Sequence, residues 1–239
     1  MSALVVLVHG AWHDGSCWAP LTAELTSRGH DVRAVDLPCD RPGAGVREYA
    51  EVVLAATEHG RPVVLAGHSL GGLTVPVAAQ LLGPGRVAAV VLVAALVPRP
   101  GSSWQERVRA EPGIMAPGFG RGQLRHDDGS TSWPAEAAAA GLYAGVARES
   151  SPEAVAAAVA TMRRQDWTIT REVTPLTEWP TSRTVRVICA DDRVVDAGWS
   201  RSSGAVAGAE VVELPGGHFP MLTRPAELAD VLADAAGPL

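Results

Sequence analysis

Pro62-Val63-Val64-Leu65-Ala66-Gly67-His68-Ser69-Leu70-Gly71-Gly72-Leu73-Thr74-Val75 is the stretch that decides how this chain reads. Its first five residues form a short apolar run of the kind buried in a parallel sheet. The residues after Gly71, through Gln80 and Leu82, have the pattern of a helix packed on that sheet. Between them lies Gly-x-Ser-x-Gly, and in a strand-to-helix context this is a nucleophile elbow. The glycines lack a Cβ, so the chain can turn sharply and hold Ser69 in a strained conformation. Ser69 Oγ is then expected at the carboxyl end of the strand, beside a helix N-terminus that favours negative charge.

Outward from the elbow, short apolar runs alternate with helical patterns, as βαβ units do. Strands are expected at Leu4–Val8, Val32–Val35, Val63–Ala66, Val87–Ala94, Val185–Cys189 and Val211–Leu214. Helices are expected at Cys17–Arg28, Val46–His59, Leu70–Leu82, Ala197–Val206 and Pro225–Ala236. Right-handed crossovers would leave the strand-end loops on one edge, where sites of α/β sheets gather. The alternation stops between Pro98 and Pro180. That stretch is first rich in Gly and Pro, over Arg99 to Gly122, then alanine-rich and helical over Pro134–Arg148 and Pro152–Arg164. The expected organisation is an α/β core of residues 1–98 and 181–239, with a cap subdomain of residues 99–180 inserted after the fourth strand. The cap carries Trp104, Met115, Phe119, Trp133, Tyr143, Trp167 and Trp179, of which some are expected to face Ser69.

Composition excludes several function classes. With 47% apolar residues the chain can bury a core, and a formal charge of -6 argues against a nucleic-acid partner. All twenty basic residues are arginine, and lysine and asparagine are absent, a bias that a GC-rich coding sequence explains. No Schiff-base or P-loop lysine is therefore available. Cys17, Cys39 and Cys189 offer neither a disulfide framework nor zinc spacing. The apolar start lacks a basic n-region, and no apolar run is long enough for a bilayer, so the reading is a cytoplasmic protein with no membrane contact.

A nucleophilic serine needs a base, an orienting acid and an oxyanion hole. His218, in Pro215-Gly216-Gly217-His218-Phe219-Pro220 past the last strand, is the expected base. His68 is expected to pack beneath the turn, while His30, His59 and His126 read as solvated loop residues. The acid is expected after Val185–Cys189, where Asp191, Asp192 and Asp196 compete. Asp192 is preferred, because the turn needs a few residues to aim a carboxylate back at His218; Asp191 is the alternative. Backbone amides supply the oxyanion hole, one from Leu70 after the nucleophile, the other from His9-Gly10-Ala11-Trp12 after the first strand. Ala11 is nominated, with Trp12 as fallback. His13 is expected to bond a nearby loop. Substrate contact is considered for Trp12, His13, Trp104, Phe119, Trp133, Tyr143 and Phe219.

These three segments, in this order, resemble the α/β-hydrolase superfamily. Val8-His9-Gly10-Ala11-Trp12-His13-Asp14-Gly15-Ser16-Cys17-Trp18 is similar, more narrowly, to the branch of plant methylesterases, hydroxynitrile lyases and bacterial esterase relatives. Arg28-Gly29-His30-Asp31-Val32, Val35-Asp36-Leu37-Pro38 and Cys189-Ala190-Asp191-Asp192-Arg193 resemble the same branch. The resemblance implies Asp192 as acid, His218 as base, and Ala11 and Leu70 as oxyanion donors. The lyases of the branch usually carry Thr at the position of Gly10 and Lys at that of Phe219, which argues against lyase chemistry here. Epoxide hydrolases and dehalogenases need a carboxylate where Ser69 stands.

The sequence thus predicts an α/β-hydrolase fold and a serine hydrolase acting on a small hydrophobic carboxylic ester, without cofactor or metal. Thioester, lactone or carbon–carbon bond hydrolysis would use the same residues. A lyase or cyclase using His218 as base, and a non-catalytic small-molecule binding protein, are the rival classes. The oligomeric state stays open, a homodimer among the options.

Overall fold

The computed structural model describes residues 3–57, 60–202, 204 and 206–237. The valine-rich runs become strands. β1 (Leu4–Val8) leads through a 3-10 turn at Gly15–Trp18 into α1 (Ala19–Ser27), and β2 (Val32–Val35) leads into α2 (Val46–Ala55). β3 (Val63–His68) passes through a second 3-10 turn, Ser69–Leu73, into α3 (Val75–Leu82), and β4 (Val87–Val93) follows. A long excursion then carries α4 (Trp104–Ala110), a small hairpin of β5 (Leu124–Arg125) and β6 (Thr131–Ser132), α5 (Ala135–Ala137), α6 (Pro152–Ala160) and α7 (Thr168–Arg171). The chain returns as β7 (Arg183–Cys189), α8 (Ala197–Arg201), β8 (Glu210–Leu214), α9 (Pro220–Thr223) and α10 (Pro225–Ala236).

Six strands form one parallel sheet in the order β2-β1-β3-β4-β7-β8. β1 and β3 are buried along their whole length, as parallel strands covered on both faces must be. Truncating a fully buried side chain there, such as Leu65→Ala, would cost about 2–5 kcal/mol. The edge strands β2 and β8 are the exposed ones. Parallel pairing points all six carboxyl ends one way, so the β1, β3, β4, β7 and β8 exits share an edge.

The helix boundaries differ from expectation for local reasons. Asp14 caps the 3-10 turn by accepting from Ser16 N–H, and α1 proper starts only where Pro20 sits in its first turn. α2 stops at Ala55, while His59 lies outside the described residues. α8 ends at Arg201, where Ser202 N–H and Gly204 N–H turn back to Gly198 and Trp199 carbonyls. α4 arises inside the Gly/Pro-rich stretch because Ser103 and Glu106 form a reciprocal capping box. The alanine-rich run is not one helix: α5 opens into a π-turn over Ala138–Leu142, and a separate 3-10 turn spans Val146–Arg148. α6 ends at Ala160, and Arg163 instead ties the loop after β1. Among the described residues no helix is long and apolar enough to cross a membrane, and no three metal-binding side chains converge.

Candidate active site

β3 delivers Ser69 with a φ of 49°, the left-handed region that side-chain-bearing residues avoid at a cost of about 1–3 kcal/mol. Close packing holds it there. A Cβ on Gly71 would lie 2.6 Å from the Val8 carbonyl oxygen, and one on Gly67 would lie 2.7 Å from the Gly71 oxygen. The Ser69 carbonyl accepts from Leu96 N–H at 3.0 Å, which pins the elbow to the exit of β4. Trp12 (φ 65°) and Ala94 (φ 46°) share this conformation. The three left-handed non-glycine residues among those described therefore all stand just past the carboxyl ends of β1, β3 and β4.

The loop after β8 brings His218 to the same edge. His218 Nδ1 donates to Asp192 Oδ2 at 2.8 Å, and both side chains are 3% exposed. Asp192 Oδ1 accepts from Val194 N–H (2.7 Å) and Val195 N–H (3.0 Å), so one carboxylate oxygen is fixed by backbone and the other faces the imidazole. Asp191 instead accepts from Gly216 N–H, joining the two loops, and Asp196 caps α8 through Trp199 N–H. His68 Nε2 donates to the His218 carbonyl at 2.9 Å, holding that backbone from beneath the elbow. Burial keeps His68 well below the usual imidazole range and therefore neutral. Ser69 and His218 line one cavity. No hydrogen bond joins them among the described residues.

The loop after β1 forms the opposite wall. Its Gly10 carbonyl accepts from His9 Nδ1 (2.8 Å), and its Ala11 carbonyl accepts from His13 Nδ1 (2.6 Å). Trp12 N–H donates to Gln165 Oε1 at 3.4 Å, and the Trp12 carbonyl accepts from Arg163 N–H at 2.8 Å. From the Gly10 carbonyl to the Trp12 carbonyl, only Ala11 N–H lacks a partner among the described residues, and Ala11 lines the cavity. The Trp12 amide, the fallback donor, is thus occupied. Leu70 N–H lies in the first turn of a 3-10 segment, where amides have no intrahelical acceptor. Gly10 has no room for a side chain: a Cβ would sit 2.9 Å from Ser69 Cβ and 3.0 Å from His68 Nδ1. That is a local reason for glycine, not threonine, at this position.

The cavity measures about 250 Å³, and among the described residues no carboxylate or guanidinium lines it. Trp12, Trp104, Phe119, Trp167 and Phe219 supply its aromatic walls, joined by Leu96, Met115 and Leu142. Trp12 Nε1 and Trp167 Nε1 both donate to Thr131 Oγ1 at 3.0 Å. Two residues expected as substrate contacts stand behind the wall instead. Trp133 packs edge-on against Trp12 at 5.7 Å, and the Tyr143 ring lies flat on Phe219 at 4.5 Å with its hydroxyl on His13 Nε2. His13 bonds its own loop, and burial lowers it to about 4. His30, read as solvated, is 8% exposed beneath the α1–β2 turn, while His126 half-buries in the hairpin and bonds Ser132. Leu96, Gln105, Val108, Leu142, Thr170 and Val194 are lining residues that sequence reasoning did not single out.

Residues 5–231 match the family described as the alpha/beta hydrolase family. Methyl jasmonate esterase 1 of Vitis vinifera is 29% identical over 96% of this chain and 95% of its own length. The probable esterase PIR7A of Oryza sativa is 30% identical, covering 95% of this chain and 94% of its own. Among solved structures, a pyrethroid hydrolase from Sphingobium faniae JZ-2 superimposes with a TM-score of 0.77 at 24% identity, over 100% of this chain and 99% of that one. The strand order, the serine elbow after β3 and the match along nearly the whole sequence agree, and the chain belongs to the alpha/beta hydrolase family.

Proposed function

We propose that this chain hydrolyses a small, neutral, hydrophobic carboxylic ester through an acyl-enzyme on Ser69. The observation that carries this reading is His218, backed by buried Asp192, which lines one cavity with a strained serine and with Ala11, whose amide has no partner among the described residues. Ser69 Oγ attacks the ester carbonyl while His218 Nε2 takes its proton. Asp192 holds the Nδ1–H tautomer and stabilises the imidazolium. The negative oxygen is received by the Ala11 and Leu70 amides, which are pre-aimed and need no reorganisation. His218 returns the proton to the leaving alcohol, and then activates water to release the acid. A cavity of about 250 Å³ lies just below the usual span of ligand sites, roughly 300–1,000 Å³, which supports a compact ester. With no arginine among the described lining residues, no guanidinium pairs with the carboxylate product, which favours its release. The excursion of residues 99–180 acts as a cap, since its Trp104, Phe119 and Leu142 line the cavity together with Ser69. Relatives named as esterases at 29–30% identity support the ester-bond assignment.

Intact mass after incubation with a fluorophosphonate tests the reading. One stoichiometric adduct is expected on the native chain, absent after Ser69→Ala and slowed severely after His218→Ala, with ester turnover down on the order of 10⁶-fold in either variant. An aromatic or aliphatic ester panel is expected to outpace short charged esters. Wild-type turnover in His218→Ala would overturn the assignment.

A further inference from the structure

Two peptide planes meet at Ala11, and each is held by a different histidine. The 10–11 plane, which contains Ala11 N–H, is pinned through the Gly10 carbonyl by His9, whose Nε2 accepts from Leu37 N–H inside the core. The 11–12 plane is pinned through the Ala11 carbonyl by His13 Nδ1–H at 2.6 Å, with a longer bond, 3.4 Å, from Trp12 N–H to Gln165 Oε1 at its other end. Since Nδ1 is the donor, His13 Nε2 is the acceptor, and Tyr143 O–H donates to it at 2.5 Å. Burial pushes the Tyr143 phenol up, so it stays a donor. Tyr143 belongs to the excursion, 130 residues from His13. The π-turn over Ala138–Leu142 sets it there: Tyr143 N–H closes on the Ala138 carbonyl, so Leu142 enters the cavity wall while Tyr143 reaches behind it.

The 11–12 plane needs this hold. Trp12 is left-handed at φ 65°, and rotating the 11–12 peptide is the motion that would relieve it. Such a rotation turns the peptide about the Cα–Cα axis, changing ψ of Ala11 and φ of Trp12 together. Without the bond to the Ala11 carbonyl, ψ of Ala11 is no longer fixed, and φ of Ala11, which aims its N–H, adjusts with it. A donor displaced by about 1 Å loses much of its effect on the reacting oxygen.

Building on the ester-hydrolase reading, we propose that His13 and Tyr143 are positioning residues for the oxyanion donor, a relay from Tyr143 O–H through His13 to the Ala11 carbonyl. The segment that roofs the cavity thereby also aims the Ala11 amide.

The experiment compares wild type, His13→Leu, His13→Asn and Tyr143→Phe on p-nitrophenyl butyrate, with rates divided by serines titrated with fluorophosphonate. Affinity for an aryl trifluoromethyl ketone, which binds as a tetrahedral oxyanion, is measured alongside. His13→Leu is expected to lower kcat about thirtyfold and Tyr143→Phe about fivefold, below the roughly 10²–10³ of deleting a donor outright. KM should stay within about twofold, and ketone affinity should fall by the same factor as kcat. His13→Asn places its amide nitrogen where Nδ1 was, and should recover kcat to the Tyr143→Phe level. A purely structural role predicts instead fewer titratable serines, each turning over normally. Unchanged kcat per serine in His13→Leu and Tyr143→Phe overturns the relay, as does a kcat loss without a loss in ketone affinity. If His13→Leu does not fold, Tyr143→Phe decides alone, because it keeps the stack on Phe219. A wild-type chain with no titratable serine and no turnover overturns the ester-hydrolase reading itself; an active wild type with unaffected variants overturns only the relay.

Discussion

Replacing Asp192 by asparagine tests the proposed chemistry at a single atom. Asp192 Oδ1 accepts from two backbone amides, at 2.7 and 3.0 Å, and Oδ2 faces His218 Nδ1 at 2.8 Å. An asparagine must keep its oxygen towards Val194 and Val195, since turning it would set NH₂ against two N–H groups. Its NH₂ then points at His218 Nδ1 and can only donate. The imidazole answers by carrying its proton on Nε2, the nitrogen that must accept from Ser69. Such a tautomer error costs about 10⁴-fold in kcat, or about 5.5 kcal/mol of transition-state stabilisation. Folding should survive, because the two amide bonds and the packing remain. The assay is steady-state hydrolysis of p-nitrophenyl butyrate between pH 6 and 10, together with Asp191→Asn as comparison. Among the described residues the Asp191 carboxylate serves only the Gly216 amide, so its variant should stay within about threefold of wild type. Asp192→Asn within tenfold of wild type would refute the reasoning, and a larger loss in Asp191→Asn would transfer the acid role to Asp191.

Two further outcomes follow from the packing around the site. Gly10→Ala forces a methyl to within 2.9 Å of Ser69 Cβ, and neither Ser69 nor His68 is free to swing away. It should destabilise the chain by about 1–3 kcal/mol and lower kcat more than it raises KM; urea midpoints and kinetics together check this, and normal stability with normal kcat would contradict it. The second outcome concerns acid. His9 and His13 are lowered to about 4 by burial, whereas the unfolded chain protonates them near 6.5. The unfolded state therefore binds more protons between those values, and stability is lost as pH falls through that window, by about 2 kcal/mol per histidine at pH 5. Urea melts at pH 7.5 and 5 read the difference, and superimposable curves would show that these rings are already charged or solvated.

Valine-rich runs made the sheet legible, because strands buried on both faces admit little else. The elbow was legible for the same reason: Gly67 and Gly71 sit where the Val8 and Gly71 oxygens leave no space, a constraint that local sequence records. His218 and Asp192 could be placed by their positions just past β8 and β7. What sequence did not carry was contact at long range. Gln165 on the Trp12 amide and Tyr143 on His13 pair residues more than a hundred positions apart, and no spacing rule connects them. The run Ala135 to Ala140 reads as plain helix, yet Gly141 and the inward pull of Leu142 and Tyr143 open it into a π-turn. Ser103-x-x-Glu106, by contrast, was a readable helix start hidden by the glycines and prolines around it.

The hydroxyl of Thr131 has two acceptor positions, and the indoles of Trp12 and Trp167 fill both. Neither indole N–H is left over for a guest. A substrate that brings a hydroxyl or amide against these two indoles gives up water and finds no indole N–H in its place, at about 1–3 kcal/mol, or roughly ten- to a hundredfold in kcat/KM. Hydrocarbon shapes of similar volume meet no such barrier. Under the proposed ester hydrolysis, this wall would sort congeners by wetness and not by identity: alkyl and aryl homologues would pass together, while their hydroxylated counterparts would be disfavoured by a pair of saturated hydrogen bonds they never touch.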